Sequence, residues 1–431
     1  MWKFDYKEIQ IHREWNLDVA LSMVDQWDGT LLYTSPDSVS NGQIILGLNP
    51  VFDACDNNCN TLEVVDALLE MNSHLEFPFL FGYVGYDAKH IFEEKGVYQN
   101  LIEKEFNQFA FDAYQYVLIF NLSWEAKQFY GLQNTINKEI SLQELKEFKC
   151  ADFEAFKVKY VNSDLSKKEY IEGVSQIQEY IKAGDVYQVN LTRKITCEFN
   201  GDAVNAAKSL IESNRIEFGV FYKSKDKYLI STSPERFFQV ENNRILASPI
   251  KGTAGRGEKD EDIKNELLND TKNLRELAMI TDLLRNDISR ICKPGSVKVK
   301  GFPILKTLKN VFHLVSDVEG ELSTNSFSEI IEAIFPGGSI TGCPKIRACQ
   351  IIEELERKGR GPYTGSFGYV SGDNQMDFNI LIRTVLINDN KLTFNVGGGI
   401  TLLSNPEDEY LETNHKARNI VEALQIDDFD Q

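Results

Sequence analysis

The sequence predicts an α+β protein built on large antiparallel sheets, and three observations carry that prediction. Two hairpin signals lie far apart: Asn242-Asn243 separates the apolar runs Phe237 to Val240 and Ile245 to Ala247, and Asp389-Asn390 separates Val385 to Ile387 from Leu392 to Val396. Asn and Asp tolerate the left-handed backbone that tight turns between antiparallel strands require. Helical patterns at Leu267 to Ile291, Pro344 to Arg357 and Pro406 to Leu424 interleave with these hairpins, which is the α+β arrangement. The first 150 or so residues alternate short apolar runs with polar turns and carry few long helical patterns.

Taken in chain order, Phe77 to Tyr86 is almost continuously apolar, as in a buried strand. The stretch from Lys138 to Asp164 is charged and lacks apolar periodicity, so the expected division is an N-terminal subdomain over 1–150 and a second region over 165–425. Ser166 with Glu169 three residues on forms a capping box, Val174, Ile177 and Ile181 recur at helical spacing, and Gly184 suits the stop. Val186, Tyr187, Val189 and Leu191 then predict a strand.

The composition narrows the function. The 431 residues are 42% hydrophobic and 26% charged, as in a globular protein able to bury a sizeable core. The 46 basic and 65 acidic side chains leave a formal charge of −19. Such a surface serves solubility and repels phosphate backbones and anionic lipid, which argues against nucleic-acid and membrane partners. An anionic substrate then needs local positive charge. The start, Met1-Trp2-Lys3-Phe4-Asp5, is too charged for a signal peptide, and the longest apolar runs are strand-sized. Seven scattered cysteines, with Cys55 and Cys59 lacking a second metal-binding pair, predict reduced thiols and a cytoplasmic protein.

The segment from Ser404 to Lys416 is the most informative. Asn405 caps a helix with Pro406 at its first position, and Glu409, Glu412 and Lys416 line one face of it. Two carboxylates one turn apart suit magnesium; they also suit a solvated acidic first turn facing the helix dipole. Just before it, Gly397-Gly398-Gly399 either expose N–H groups to an anion or form a tight turn into the helix. A second glycine-rich turn runs from Phe335 to Lys345; it lacks the lysine of a phosphate-binding loop, but its N–H groups and the Thr341 hydroxyl can hold a carboxylate. Within Arg275 to Asp287, Glu276 can complete a metal site with Glu412, while Asp282, Arg285 and Asp287 read as a structural ion-pair group. Lys251 sits in a Pro–Gly turn, where a nucleophilic role requires a depressed pKa.

These segments in this order resemble the chorismate-utilising enzymes, from about Ser166 to the end of the chain. The resemblance rests on Gly184 to Asn190, Ser233-Pro234-Glu235-Arg236-Phe237, Asp282 to Arg290, His313-Leu314-Val315-Ser316, Pro336 to Lys345 and Tyr410-Leu411-Glu412-Thr413. Upstream it is similar only in outline, as at Gly82-Tyr83-Val84-Gly85-Tyr86-Asp87. It implies two large, mostly antiparallel sheets in a sandwich flanked by helices. It implies that Glu276 and Glu412 bind Mg2+, with Glu409 acting through water. It also implies that Arg383 and Tyr363 grip the enolpyruvyl carboxylate of chorismate, that Thr341, Gly342, Gly397 to Gly399 and Lys416 make further carboxylate contacts, and that His313 is a catalytic residue beside the ring, for polar contact or proton handling at the reacting carbons.

Two positions discriminate within the family. Isochorismate and salicylate synthases carry a water-activating lysine where this chain has Gln188, and a neutral amide cannot be that base. Anthranilate synthases usually have alanine where this chain has Lys251; the lysine form resembles aminodeoxychorismate synthases, in which it attacks the ring before ammonia displaces it. The resemblance therefore implies amination of chorismate to 4-amino-4-deoxychorismate, on the route to p-aminobenzoate and folate. It further implies ammonia from a separate glutamine amidotransferase subunit, since no such segment is read in the chain. Anthranilate synthase component I is the neighbouring alternative, and a non-catalytic chorismate-binding regulatory subunit the alternative of a different class. Asn214-Arg215-Ile216-Glu217-Phe218 lacks the prolines of tryptophan-binding relatives, so regulation by tryptophan is not expected.

Overall fold

The structure is a computed structural model that describes residues 3–429 except 36–41, 57–59, 94–97, 100, 134–139, 215–216, 258 and 308–310. Its strands join into one 20-stranded hydrogen-bonded network. The Phe109–Phe120 strand is the corner. One edge pairs along its length with Ile44–Asp56; the other pairs with Pro78–Val84 near its start and with Ala126–Leu132 near its end. From this corner one arm passes through Gly29–Tyr33, Phe218–Ser224, Lys227–Ser233, Thr384–Asn388 and Lys391–Ile400 to Gln188–Gly201. The other passes through Ser366–Ser371, Met376–Asn379, Arg236–Glu241 and Arg244–Ala247 to Val311–Glu321, which also carries Ile250–Gly255 and Lys298–Thr307. All these pairings are antiparallel. The two expected sheets are thus two arms of one continuous sheet.

Side-chain alternation shows how the arms pack. Leu32, Val220, Tyr222, Leu229 and Leu386 of the first arm enter one core together with Phe81, Phe238, Phe367 and Phe378 of the second. Their neighbours Leu31, Phe221, Ile230, Val385 and Ile387 point the other way, into a core shared with the helices Leu17–Trp27, Ala203–Ser213 and Pro406–Leu424. Tyr222 contacts the rings of Tyr83 and Phe367 across the arms, with centroids 6.2 and 5.5 Å away. Strands from 1–150 are hydrogen-bonded neighbours of later ones, Gly29–Tyr33 with Phe218–Ser224 and Pro78–Val84 with Ser366–Ser371. The charged stretch from 138 to 164 therefore does not separate two sheets.

Local signals hold well. The Lys167–Ala183 helix has both capping-box bonds between Ser166 and Glu169 and stops at left-handed Gly184 (φ 85°). Asn242, Asn243 and Asp389 take the positive φ that their hairpins need. The strand expected from Val186 starts at Gln188 and continues to Gly201. The single helix expected over Leu267 to Ile291 is corrected to two, Asp260–Asn269 and Thr271–Ser289. Asp270 breaks it by capping the second helix, accepting from the Lys272 and Asn273 N–H groups. Among the described residues no helix is long and apolar enough to cross a membrane. The six described cysteines are free; Cys59 lies outside the described residues.

Candidate active site

Lys251 lies in a strand, not in the turn that its Pro–Gly flanks suggested. Ile250 pairs with Val315 and Thr253 with His313, so Lys251 and Gly252 together face Leu314 alone. Two residues against one is a β-bulge, a device that re-aims a side chain out of the ladder. Gly252 makes it possible: its φ is +84°, and a Cβ there would stand 3.0 Å from Asn273. Lys251 retains some exposed surface but is densely enclosed by protein. Burial lowers its pKa, the carboxylates of Glu276 and Glu235 oppose that, and the Lys416 charge reinforces it.

Two helices distant in sequence deliver acids to the same place. Glu276 comes from Thr271–Ser289, and Glu409, Glu412 and Lys416 from Pro406–Leu424. A Cβ on Gly398 would lie 3.2 Å from Glu409 Oε2, 3.5 Å from Glu412 Oε1 and 3.6 Å from Lys416 Nζ, so the three groups converge over this glycine. Lys416 bonds Glu412 at 2.7 Å and the Gly397 carbonyl at 2.9 Å. Burial pushes the carboxyls of Glu276 and Glu409 up, against Lys251 for the first and a 2.6 Å bond from Ser404 for the second. Burial pushes Glu412 up too, but Lys416, Lys272 and Lys251 together outweigh it and hold this carboxylate below its ordinary range. Lys272, one turn before Glu276, adds positive charge felt by all three acids.

Among the described residues no trio of His, Cys, Asp or Glu closes into a metal cage. Magnesium keeps several waters and takes one or two carboxylates plus oxygens of its substrate, and only hard oxygen donors meet here.

The glycine triplet is a strand segment and neither a loop nor a turn: Gly397, Gly398 and Gly399 pair with Thr192, Leu191 and Asn190. Side chains at Gly397 and Gly399 would collide with the Leu191 carbonyl and the Gln188 amide, so the triplet is what allows such close packing. Gln188 is buried, and its Oε1 has no hydrogen-bond partner among the described residues. Thr341 is fully buried and its hydroxyl donates to the Gly337 carbonyl at 2.8 Å. That bond folds the loop back on itself. Gly342 packs so tightly on the Gln188 carbonyl that any side chain would collide.

Tyr363 is buried, whereas Arg383 is exposed and has a positive φ of 49°. The Thr364–Leu381 and Leu381–Gly365 bonds place their backbones side by side. His313 is held by Thr253 through Nδ1 at 2.7 Å and lines a small cavity with Arg236, Ser248 and Ile250. The expectation for Asp287 is corrected: it pairs with Lys345 at 2.7 Å in a buried bridge, while Asp282 and Arg285 form an exposed pair.

Sequence reasoning did not single out Glu235. It follows the Lys227–Ser233 strand, is buried, and leaves Oε1 without a partner among the described residues. Burial raises its pKa, countered by a bond from Ser339, the Lys251 charge and the Ile250 N–H. The next residue, Arg236, is locked to Asp377 by two bonds of 2.9 and 3.0 Å. The only signal was that Glu235 stands within one of the matching segments; nothing local announced its burial.

The description of chorismate binding enzymes matches residues 30–422. The chain is 41% identical over 267 residues to aminodeoxychorismate synthase component 1 of Salmonella typhimurium, covering 61% of this chain and 59% of that protein. It is 39% identical over 281 residues to anthranilate synthase component 1 of Saccharolobus solfataricus, covering 64% of this chain and 67% of that one. The matched part is thus about three fifths of the Salmonella protein. The crystal structure of anthranilate synthase component I from Streptococcus pneumoniae superposes with a TM-score of 0.75 at 28% identity, covering 89% of this chain and 93% of that one.

Proposed function

The chain belongs to the family of chorismate-binding enzymes, and from that footing we propose that it aminates chorismate with ammonia to 4-amino-4-deoxychorismate. One observation carries the choice of reaction: a lysine with a burial-depressed pKa, turned out of its strand by a bulge, faces the buried acid Glu235 and the carboxylates of two helices.

Burial favours the neutral amine of Lys251, the form with a free electron pair. Its nitrogen bonds to the ring as the C4–O bond breaks. The departing hydroxide takes a proton from Glu235, which burial favours in its protonated form, and leaves as water. Ammonia then forms the C4–N bond and expels the lysine amine, and the new ammonium returns a proton to Glu235. Gln188 cannot deprotonate water, while its vacant Oε1 can accept an N–H of ammonia. Arg383 and Tyr363 take the enolpyruvyl carboxylate, Lys416 and the backbone around Gly342 and Gly398 add further contacts, and His313 orders the ring side of the pocket through Thr253. Magnesium held by Glu276 and Glu412, with Glu409 acting through water, would neutralise the ring carboxylate and stabilise developing charge as a Lewis acid.

The relatives are named component 1. We take that as support for a second subunit, a glutamine amidotransferase that supplies ammonia in the cytoplasm. The second reading, anthranilate synthase component I, is favoured by the Saccharolobus protein, whose match covers more of its length than the Salmonella one. Incubation with chorismate, Mg2+ and ammonium separates them. We expect p-aminobenzoate only after an aminodeoxychorismate lyase is added; fluorescent anthranilate formed without it overturns the proposal.

A further inference from the structure

The Gln188–Gly201 strand has a gap along one edge. Gly342–Cys343 pairs there with Gln188 and Val189, and Phe156–Ser163 pairs from Ile195 onward, but among the described residues no strand pairs with Asn190 to Thr192 on this edge. Buried backbone groups cannot be left open at such a place. An ion pair fills it: Glu356 Oε1 accepts from the Thr192 N–H and hydroxyl, both at 2.9 Å, and Arg360 Nη2 donates to the Asn190 carbonyl at 2.8 Å. The same guanidinium donates through Nη1 to the Ile340 carbonyl at 3.0 Å. It grips Glu356 with a two-pronged fork, at 2.9 Å through Nε and 2.7 Å through Nη2.

The two carbonyls belong to neighbouring segments at the candidate pocket, which also bond directly: the Asn190 N–H donates to the Thr341 carbonyl at 2.7 Å. Asn190 is two residues from Gln188 and pairs with Gly399; Ile340 directly precedes Thr341 and Gly342. Tyr86 and Asp87, which no catalytic role uses, hold the pair from behind. The Tyr86 ring lies 4.5 Å from the guanidinium, and Asp87 accepts from the Arg360 and Gly361 N–H groups at 3.0 and 2.9 Å.

We propose that Arg360 and Glu356 are positioning residues that lock Ile340 onto the stretch of the Gln188–Gly201 strand left unpaired on this edge, and so fix how the Thr341–Gly342 wall meets the Gln188–glycine floor of the pocket. The rigid planar fork of arginine fixes two carbonyls and a carboxylate at once; a lysine ammonium on a flexible stem cannot. Neither residue needs to touch substrate. A displacement of one wall by a fraction of an ångström is enough to spoil a multipoint grip on a dianion.

The proposal rests on reading the pocket as the chorismate site, and the test keeps the two apart. Chorismate is titrated calorimetrically into the full chain with Mg2+, alongside KM, kcat and melting temperature, for wild type, Arg360→Lys, Thr192→Val and the outer-core control Leu424→Ala. Wild type that fails to bind chorismate sinks the functional reading instead. Arg360→Lys is expected to raise Kd and KM roughly tenfold or more with kcat less affected. Thr192→Val, which loses one bond to Glu356, is expected to raise them about two- to fivefold. Leu424→Ala is expected to lower the melting temperature and leave KM alone. Folded Arg360→Lys with wild-type Kd, or an equal KM rise in Leu424→Ala, overturns the positioning role. If Arg360→Lys does not fold, an unchanged Kd in Thr192→Val overturns it and a raised one supports it.

Discussion

Two regions of this chain take carboxylates and cations out of water, and they finish the task differently. Around Glu356 and Arg360 both carboxylate oxygens accept hydrogen bonds and the guanidinium donates to Glu356, two backbone carbonyls and the Thr364 hydroxyl. Around Lys251 the groups stay incompletely satisfied. Burial raises Glu276, Glu409 and Glu235 above the ordinary carboxyl range, and Glu235 and Gln188 each keep a buried oxygen without a partner among the described residues. The first arrangement is scaffold, because completed bonds offset the desolvation of the charges. The second is poised for a ligand, because a metal ion, a dianion and ammonia are what would complete it.

The contrast breaks first, and most heavily, at the nucleophile. Lys251→Ala should cut amination by about four orders of magnitude while chorismate affinity and folding stay near wild type; steady-state rates with retained full activity would end its role. Glu235→Gln should lower kcat by about 10²- to 10⁴-fold and reshape the pH profile. In the wild type the reactive state needs Lys251 neutral and Glu235 protonated, so the rate should be bell-shaped in pH, with burial moving Lys251 below its ordinary 10.5 and Glu235 above its ordinary 4.5. Removing the Glu235 charge removes an influence that raises the Lys251 pKa. With only Lys251 left to titrate, the alkaline limb should disappear and the rate should rise to a plateau; a retained alkaline limb would contradict the assignment.

The scaffold side responds in stability. Glu356→Ala leaves a buried guanidinium unpaired and should cost about 3–5 kcal/mol in denaturant unfolding. Glu276→Gln is its counterpart. Magnesium affinity measured by calorimetry should fall, while the metal-free protein should melt no lower than wild type, since the change removes a poorly compensated charge. A large loss of metal-free stability would place Glu276 with the scaffold. The smallest effect belongs to the exposed Asp282–Arg285 pair, where Asp282→Asn should change stability by less than about 0.5 kcal/mol.

Much of this was legible residue by residue. The Asn405–Pro406 start, with Glu409, Glu412 and Lys416 on one helical face, followed from spacing alone, and the geometry over Gly398 agrees. The turn asparagines and the Ser166 capping box were equally local. Glu276 was one possible partner for Glu412 from the residues and became the expected one only through resemblance, because nothing in their spacing brings two helices together. The glycine triplet was visible but its setting was not: whether three glycines make a loop or the floor of a strand depends on what packs against them, here Leu191 and Gln188.

What the sequence by itself determined was therefore short-range: which residues cap, turn and share a helical face, since those depend on backbone preferences within a few positions. The tertiary structure alone decided that Lys251 leaves its strand through a bulge opposite Leu314, that Glu235 is buried beside it, and that Asp287 answers to Lys345 and not Arg285. Register, desolvation and ion pairing are set by partners far away in the chain, and a side chain's protonation and direction follow from those partners, not from its neighbours in sequence.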